Sequence, residues 1–362
     1  MIFFGITTDI QAHSNILKES VYYYNFPIPP LYYLSIYIIS GFNRIFSINN
    51  ASIFVLSLAM VGKYLASLQL ANHIYPNTLH SFKNTYLFLG FIACILFLNP
   101  IFYDFQDYKF YLGRIAISAW HNSTIIFLMP FAVLLFCYSL EFIESNTIHR
   151  KNICYIIILG TINLLIKPSF LFIFIPSFPL MILLWEKKFN KKVTIGFSIS
   201  SALFIGIIIL YCIIYLFNNS TSVDSEQSNI GIAPFLLFNS YSTNFFVDFI
   251  ISTLFPIISL LIIKELKNIF LIRYSILLYI FAFLIAAFIV ETGPRLYHGN
   301  FGWQLIVANY MLFLVISIFV FKKIQQRKIK IWKTILLSSI FLLHFISGIG
   351  YLFKIIIVGN IG

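Results

Sequence analysis

Asp9 and His13 stand four residues apart in the segment TTDIQAH. On a helix this spacing puts carboxylate and imidazole on one face, suited to drawing a proton from a hydroxyl or to holding a metal. Asp9 also follows Thr7-Thr8, so capping a helix start is the competing use of the same carboxylate. A second group lies in DFQDYKFYLGRIAISAWHNST, where Asp104 and Asp107 are three apart and Lys109, Arg114, His121 and Asn122 follow. So many polar groups before an apolar run form either a site or a solvated membrane border, with Trp120 an ordinary interfacial aromatic. A third is Lys167-Pro168-Ser169, a cation at a proline break inside a long apolar stretch. A lysine there suits an anion such as phosphate if the broken helices line a polar cavity. Otherwise its ammonium snorkels to headgroups. The fourth is ETGPRLYHGNFGW, residues 291–303, which offers the guanidinium fork of Arg295 with Tyr297 and His298 beside it.

The elements that must position these groups follow from composition. Of 362 residues, 60% are hydrophobic and only 10% charged, with 42 Phe and 22 Tyr. About 25% charge is usual for a soluble domain, so a single water-soluble core is excluded. The apolar runs are long and do not alternate, which excludes a membrane β-barrel and leaves an all-α polytopic membrane protein. Runs near 31–48, 51–71, 85–103, 119–140, 153–166, 169–185, 194–217, 245–263, 274–291, 304–321 and 334–358 predict about 10–11 transmembrane helices in one domain spanning 1–362. Lys167-Pro168 divides 153–185 into two short helices.

The net charge of +12 would in a soluble protein suggest nucleic acid; its distribution gives a topological cause instead. HRK at 149–151, KKFNKK at 187–192, KELKN with Arg273, KKIQQRKIKIWK at 322–333 and Lys83 hold 16 of the 24 basic residues. If these face the cytoplasm, 104–121, the Lys167-Pro168 turn, 218–244 and 292–303 lie outside. Residues 1–50 are then expected to form an external loop, in which 31–48, with three prolines in the four residues just before it and Asn43-Arg44 near its end, lies along the interface. An external start with no preceding span leads to the expectation that a first helix precedes Met1 in the natural gene. Upstream DNA without a hydrophobic codon run would refute it. The polar loop 218–244 is a candidate lid.

Cys94, Cys137, Cys154 and Cys212 have no metal-like spacing and read as buried small hydrophobes. No GxGxxG, Walker, HExxH or GxSxG motif occurs, so nucleotide-driven pumping and hydrolase chemistry lack support.

The order of these features resembles the polytopic GT-C glycosyltransferases, which take sugars from polyprenyl-phosphate carriers. An external D-x-x-x-H (Asp9, His13) precedes a P-P-L-Y-Y stretch (Pro29 to Tyr33), two spans and a second external acidic patch. The resemblance covers about the first 190 residues. It implies that Asp9 is the first-loop acid and catalytic base, and that Asp104 or Asp107 is the second-loop acid. It also implies an active site on the outer face of a bacterial cytoplasmic (inner) membrane. The partners implied are a polyprenyl-phosphate-linked sugar, a glycan or lipid acceptor and membrane lipids, without nucleic acid. His13, Arg114, His121, Asn122, Lys167, Arg295 and His298 are the expected substrate-binding residues. His121-Asn122 stands where many members have an acid, which leaves metal dependence open; no cofactor is firmly implied and a divalent metal is compatible. Two other readings stay open: an O-antigen or capsule repeat-unit polymerase, and a flippase for lipid-linked oligosaccharide. An arginine-rich external loop would favour the polymerase, and 218–244 has no Arg or Lys. Matching broken helices in two halves would favour transport, and the sequence offers one break.

Overall fold

The computed structural model of the chain describes residues 9–22, 26–76, 82–102, 114–217, 229–293, 296 and 299–358. Each apolar run predicted beyond residue 50 contains one helix. These are α3 (Ile48–Ile74), α4 (Phe82–Ile95), α5 (Ser123–Glu144), α6 (Arg150–Ile166), α7 (Leu171–Glu186), α8 (Lys191–Phe217), α10 (Phe245–Ile262), α11 (Phe270–Phe288), α12 (Trp303–Gln325) and α13 (Ile331–Val358). Seven are long and apolar enough to cross a membrane, whereas α4, α6 and α7 have 14, 17 and 16 residues. With α1 (Asp9–Tyr22), α2 (Leu31–Ile39) and the short α9 (Leu236–Tyr241), the described chain is an all-α polytopic membrane protein. Among the described residues one antiparallel strand pair, β1 (Ile230–Ile232) with β2 (Ile289–Glu291), joins the loop after α8 to the end of α11.

Burial sorts the helices. α12 is apolar on every side, and 89% of its apolar window is buried, so it forms the axis. α5 follows at 78%, while α3, α8, α10 and α13 bury less than half and present Phe54, Leu58, Ile208 and Leu343 outward. Long helices with an outward leucine and phenylalanine face need hydrocarbon around them. α3 packs on α5, α5 on α6, and α11 on both α7 and α12.

The stretch 31–48 contains only the nine-residue α2, which spans about 14 Å and cannot cross a hydrocarbon layer of about 30 Å. α1, α2, the first half of α3 and Ile126 of α5 form their own hydrophobic cluster, separate from the main core.

The expected span 85–103 is shorter than predicted. α4 stops at Ile95, and 96–102 run without regular structure against α13. Asn99 N donates to the His344 carbonyl at 3.2 Å, and His344 Nδ1 reaches the Asn99 carbonyl at 2.8 Å. Gly348 permits the approach: a Cβ there would lie 1.6 Å from the Phe97 carbonyl oxygen.

The basic loops gather at one end. Lys192 Nζ donates to the Ile143 and Ser145 carbonyls and to Glu186. Lys323 pairs with Glu265, and Lys322 Nζ reaches the Ile74 carbonyl.

Candidate functional site: a polar cluster where two cores meet

At the other end, five residues singled out in the sequence come together from three segments. Asp9 opens α1, in a first turn whose exposed N–H groups favour a carboxylate. Its Oδ2 accepts a hydrogen bond from Asn122 Nδ2 at 2.9 Å. The other end of the same amide caps α5, where Asn122 Oδ1 accepts from Ile125 N at 3.0 Å and from Thr124 Oγ1 at 2.9 Å. The cap is therefore made by Asn122, and Asp9 is held by the capping side chain.

Lys167 is the C-cap of α6, extended at φ −169° and ψ 123° as a residue before proline must be. Its Nζ lies 3.4 Å from Thr124 Oγ1 and 4.9 Å from the centre of the Trp303 ring. Trp303 starts α12 and also faces His121, with ring centres 5.8 Å apart. His121 Nδ1 shares a 3.0 Å hydrogen bond with the hydroxyl of Tyr351 on α13. His13 shares one with the Tyr33 hydroxyl on α2, and its ring packs edge-on against Tyr32 at 6.1 Å.

Charge in this cluster is scarce and shared. Burial, reinforced by the Lys167 charge and opposed by Asp9, pulls His13 down to about 4. Burial also pulls His121 down to about 4, against Asp9 and with Lys167. Both imidazoles are thus neutral at pH 7, each able to give one hydrogen bond and accept another. Burial lowers Lys167 to about 8, with Asp9 and Glu291 opposing, so it is mostly protonated at neutral pH. The cluster therefore offers a base, an ammonium and two neutral imidazoles between aromatic walls.

The segment 114–122 that delivers His121 and Asn122 is non-helical and mostly buried between helices, tolerable only where side chains satisfy its backbone. Asn99 Oδ1 accepts from Ile117 N and Ser118 N, Asn309 Nδ2 donates to the Ile115 and Ala116 carbonyls, and Ser252 Oγ accepts from Ile115 N. Lys63 Nζ donates to Ser118 Oγ at 3.2 Å and sits 3.8 Å from the Tyr310 ring centre.

Arg114 takes a separate role from the rest. Its Nε donates to Asp248 Oδ1 at 3.2 Å, both side chains being buried, and Asp248 also accepts from Ser242. This pair anchors the segment to α10. Asp104, Asp107, Arg295 and His298 lie outside the described residues. Among the described residues, no group of three or more His, Cys, Asp or Glu side chains could hold a metal ion.

Sequence reasoning missed Trp303, Tyr351, Tyr33 and Thr124, which are inconspicuous in a chain with 22 Tyr and long aromatic runs. Lys63 and Asp248 were missed as well, although a lone charge inside an apolar run was the available signal. No family model, curated protein or solved structure matches this chain.

Proposed function

We propose that this protein is a membrane glycosyltransferase that moves a sugar from a polyprenyl-phosphate donor to a glycan or lipid acceptor. The active site then lies at the outer face of a bacterial cytoplasmic membrane. The observation that carries this reading is the convergence of Asp9, His13, His121, Asn122 and Lys167 at the end opposite the basic loops. Basic loops mark the cytoplasmic side, so the cluster falls outside, where nucleotide donors are absent and a lipid phosphate is the available leaving group.

In this reading Asp9 takes the proton of the acceptor hydroxyl, held in position by the Asn122 amide. The hydroxyl oxygen bonds to the anomeric carbon as the bond from that carbon to the phosphate oxygen breaks. The electron pair leaves on the polyprenyl phosphate, where the Lys167 ammonium balances the growing charge. Trp303 offers aromatic surface to a sugar ring, and the hydroxyl of the buried Tyr351 fixes the His121 ring. His13 and His121, neutral at pH 7, orient hydroxyl groups without adding charge.

The test is purified full-length protein in detergent with a panel of polyprenyl-phosphate sugars, following free carrier by mass spectrometry. Release in the native protein and not in Asp9→Asn is the expected result. Equal release by both refutes Asp9 as base. Absence of release, with growth of polyprenyl-diphosphate oligosaccharides, would instead establish a polymerase. Binding of lipid-linked glycan with neither reaction would point to transport.

A further inference from the structure

A groove of about 530 Å³ opens between α3 and α5, lined on α3 from Val55 to Gln69, on α5 from Phe127 to Leu134 and on α2 by Ser35 and Ile39. Its floor is the close approach of the two helices at Gly62, where a Cβ would come within 3.2 Å of Pro130 Cβ. The groove follows the boundary between the two hydrophobic clusters. Val55 and Ala59 belong to the N-terminal cluster and Ala66 to the main core, and Phe127 packs against both.

The polar cluster sits on this same boundary. Asp9, His13 and Tyr33 come from the N-terminal unit, and His121, Lys167, Trp303 and Tyr351 from the bundle. Helix α5 joins cluster to groove. Thr124, which meets Lys167, stands three, seven and ten residues before Phe127, Phe131 and Leu134, so all four share one face. Phe127 in turn packs on Tyr32 at 5.5 Å, and Tyr32 on His13. One molecule that meets the Lys167 ammonium and fills the groove needs an anionic head and a hydrocarbon tail.

We infer that the α3–α5 groove seats the single hydrocarbon tail of the substrate whose phosphate lies at Lys167, running about 21 Å along α3. This rests on the phosphate assignment made above. A ligand already in a bilayer gains little hydrophobic energy by entering a groove, because lipid tails are as apolar as leucine. The tail's contribution is packing, many small contacts along a fixed path. Chain length is therefore expected to matter by about ten-fold in total, not ten-fold per isoprene unit.

The test uses the full chain in nanodiscs with a benzophenone-tailed farnesyl phosphate as photolabel. Label should fall on peptides covering 55–69 and 127–134, and unlabelled farnesyl phosphate should displace it about two-fold better than geranyl phosphate, which is one isoprene unit shorter. Leu65→Trp, at the exposed rim of the groove, should erase that advantage and leave geranyl phosphate unchanged. If that variant does not fold, Leu65→Ala serves: loss of tail contacts should shrink the advantage with geranyl phosphate again unaffected. Label spread over all outward-facing helices, or displacement by phosphatidylglycerol as effective as by farnesyl phosphate, would make the groove an ordinary lipid contact and overturn the inference. Lys167→Met separates the two assignments. Undiminished labelling of the groove in that variant removes the phosphate from Lys167 and leaves the tail site standing. Weakened binding with label elsewhere removes the tail site and leaves the phosphate site.

Discussion

Lys167 gives the sharpest prediction, because its environment sets a pH at which the proposed phosphate site should fail. Burial lowers its ammonium to about 8 while Asp9 and Glu291 hold it up. It is then about nine-tenths protonated at pH 7 and about one-tenth at pH 9. Only the protonated form balances a phosphate, so donor affinity should fall as pH rises through about 8. A charge-assisted hydrogen bond is worth about 1.5–3 kcal/mol, which sets a ceiling of about 10- to 150-fold on the loss of donor binding, of which about ten-fold is reached at pH 9. Unfolding is not the cause of such a loss. Between about 8 and 10.5 the unfolded chain holds the Lys167 proton and the folded chain does not, so this group's contribution to stability rises with pH. The assay is donor KM from pH 6.5 to 9.5 for three proteins. The native protein should show the fall. Lys167→Arg, whose charge persists across the range, should hold its affinity at pH 9. Lys167→Met should be weak throughout and flat near pH 8. A native basic limb that survives unchanged in Lys167→Met would refute the assignment.

Three further outcomes follow from the geometry. Asn122→Asp keeps the α5 cap but sets a second carboxylate against Asp9, whereas Asn122→Ala loses the cap at about 1 kcal/mol. Thermal melts at neutral pH should thus fall for Ala through the lost cap and for Asp through the repulsion. The Asp variant alone should recover as pH falls and the pair takes up a proton, while sugar transfer falls in both. Arg114→Met strands the buried Asp248 carboxylate and should cost about 3–5 kcal/mol, seen as a large drop in melting temperature. Adding Asp248→Leu should recover much of it, and no recovery would mean the pair does not carry the cost. Gly348→Ala places a methyl group on the Phe97 carbonyl and should destabilise by about 1–3 kcal/mol in the same melts, since backbone cannot yield as a side chain can.

How much of this was legible differs by the range of the forces involved. Helix existence was readable because bilayer thickness imposes apolar run length, and all ten runs beyond residue 50 hold a helix. The break at Lys167 was readable because proline acts locally. Helix ends set by distant partners were not. α4 stops at Ile95 because His344 and Gly348, some 250 positions away, take over the backbone of 97–100. The site behaved likewise. Asp9, His13, His121, Asn122 and Lys167 stood out because polar groups are scarce, and the structure brings them together. The partner of Arg114, 134 positions away, had no local signature, and Trp303 and Tyr351 were lost among many aromatics.

The scarcity that made the site visible also explains its construction. Irregular backbone buried inside a protein meets no water, so the polar groups of 114–118 must be answered by side chains from elsewhere. Asn99 from the stretch after α4, Asn309 from α12 and Ser252 from α10 supply those answers, and Lys63 on α3 holds the Ser118 hydroxyl. The path leading to His121 and Asn122 is therefore fixed from several directions at once. Asn122 then couples that path to both the start of α5 and the Asp9 carboxylate. The N-terminal unit, with its own small core, meets the bundle through the Asp9–Asn122 hydrogen bond and the packing of Tyr32 on Phe127. The bundle half of the cluster is thus held by many buried bonds and the Asp9 half by few. Any movement that admits an acceptor is cheaper at α1 than at α5, and amide exchange should be faster in α1 than in the first turns of α5.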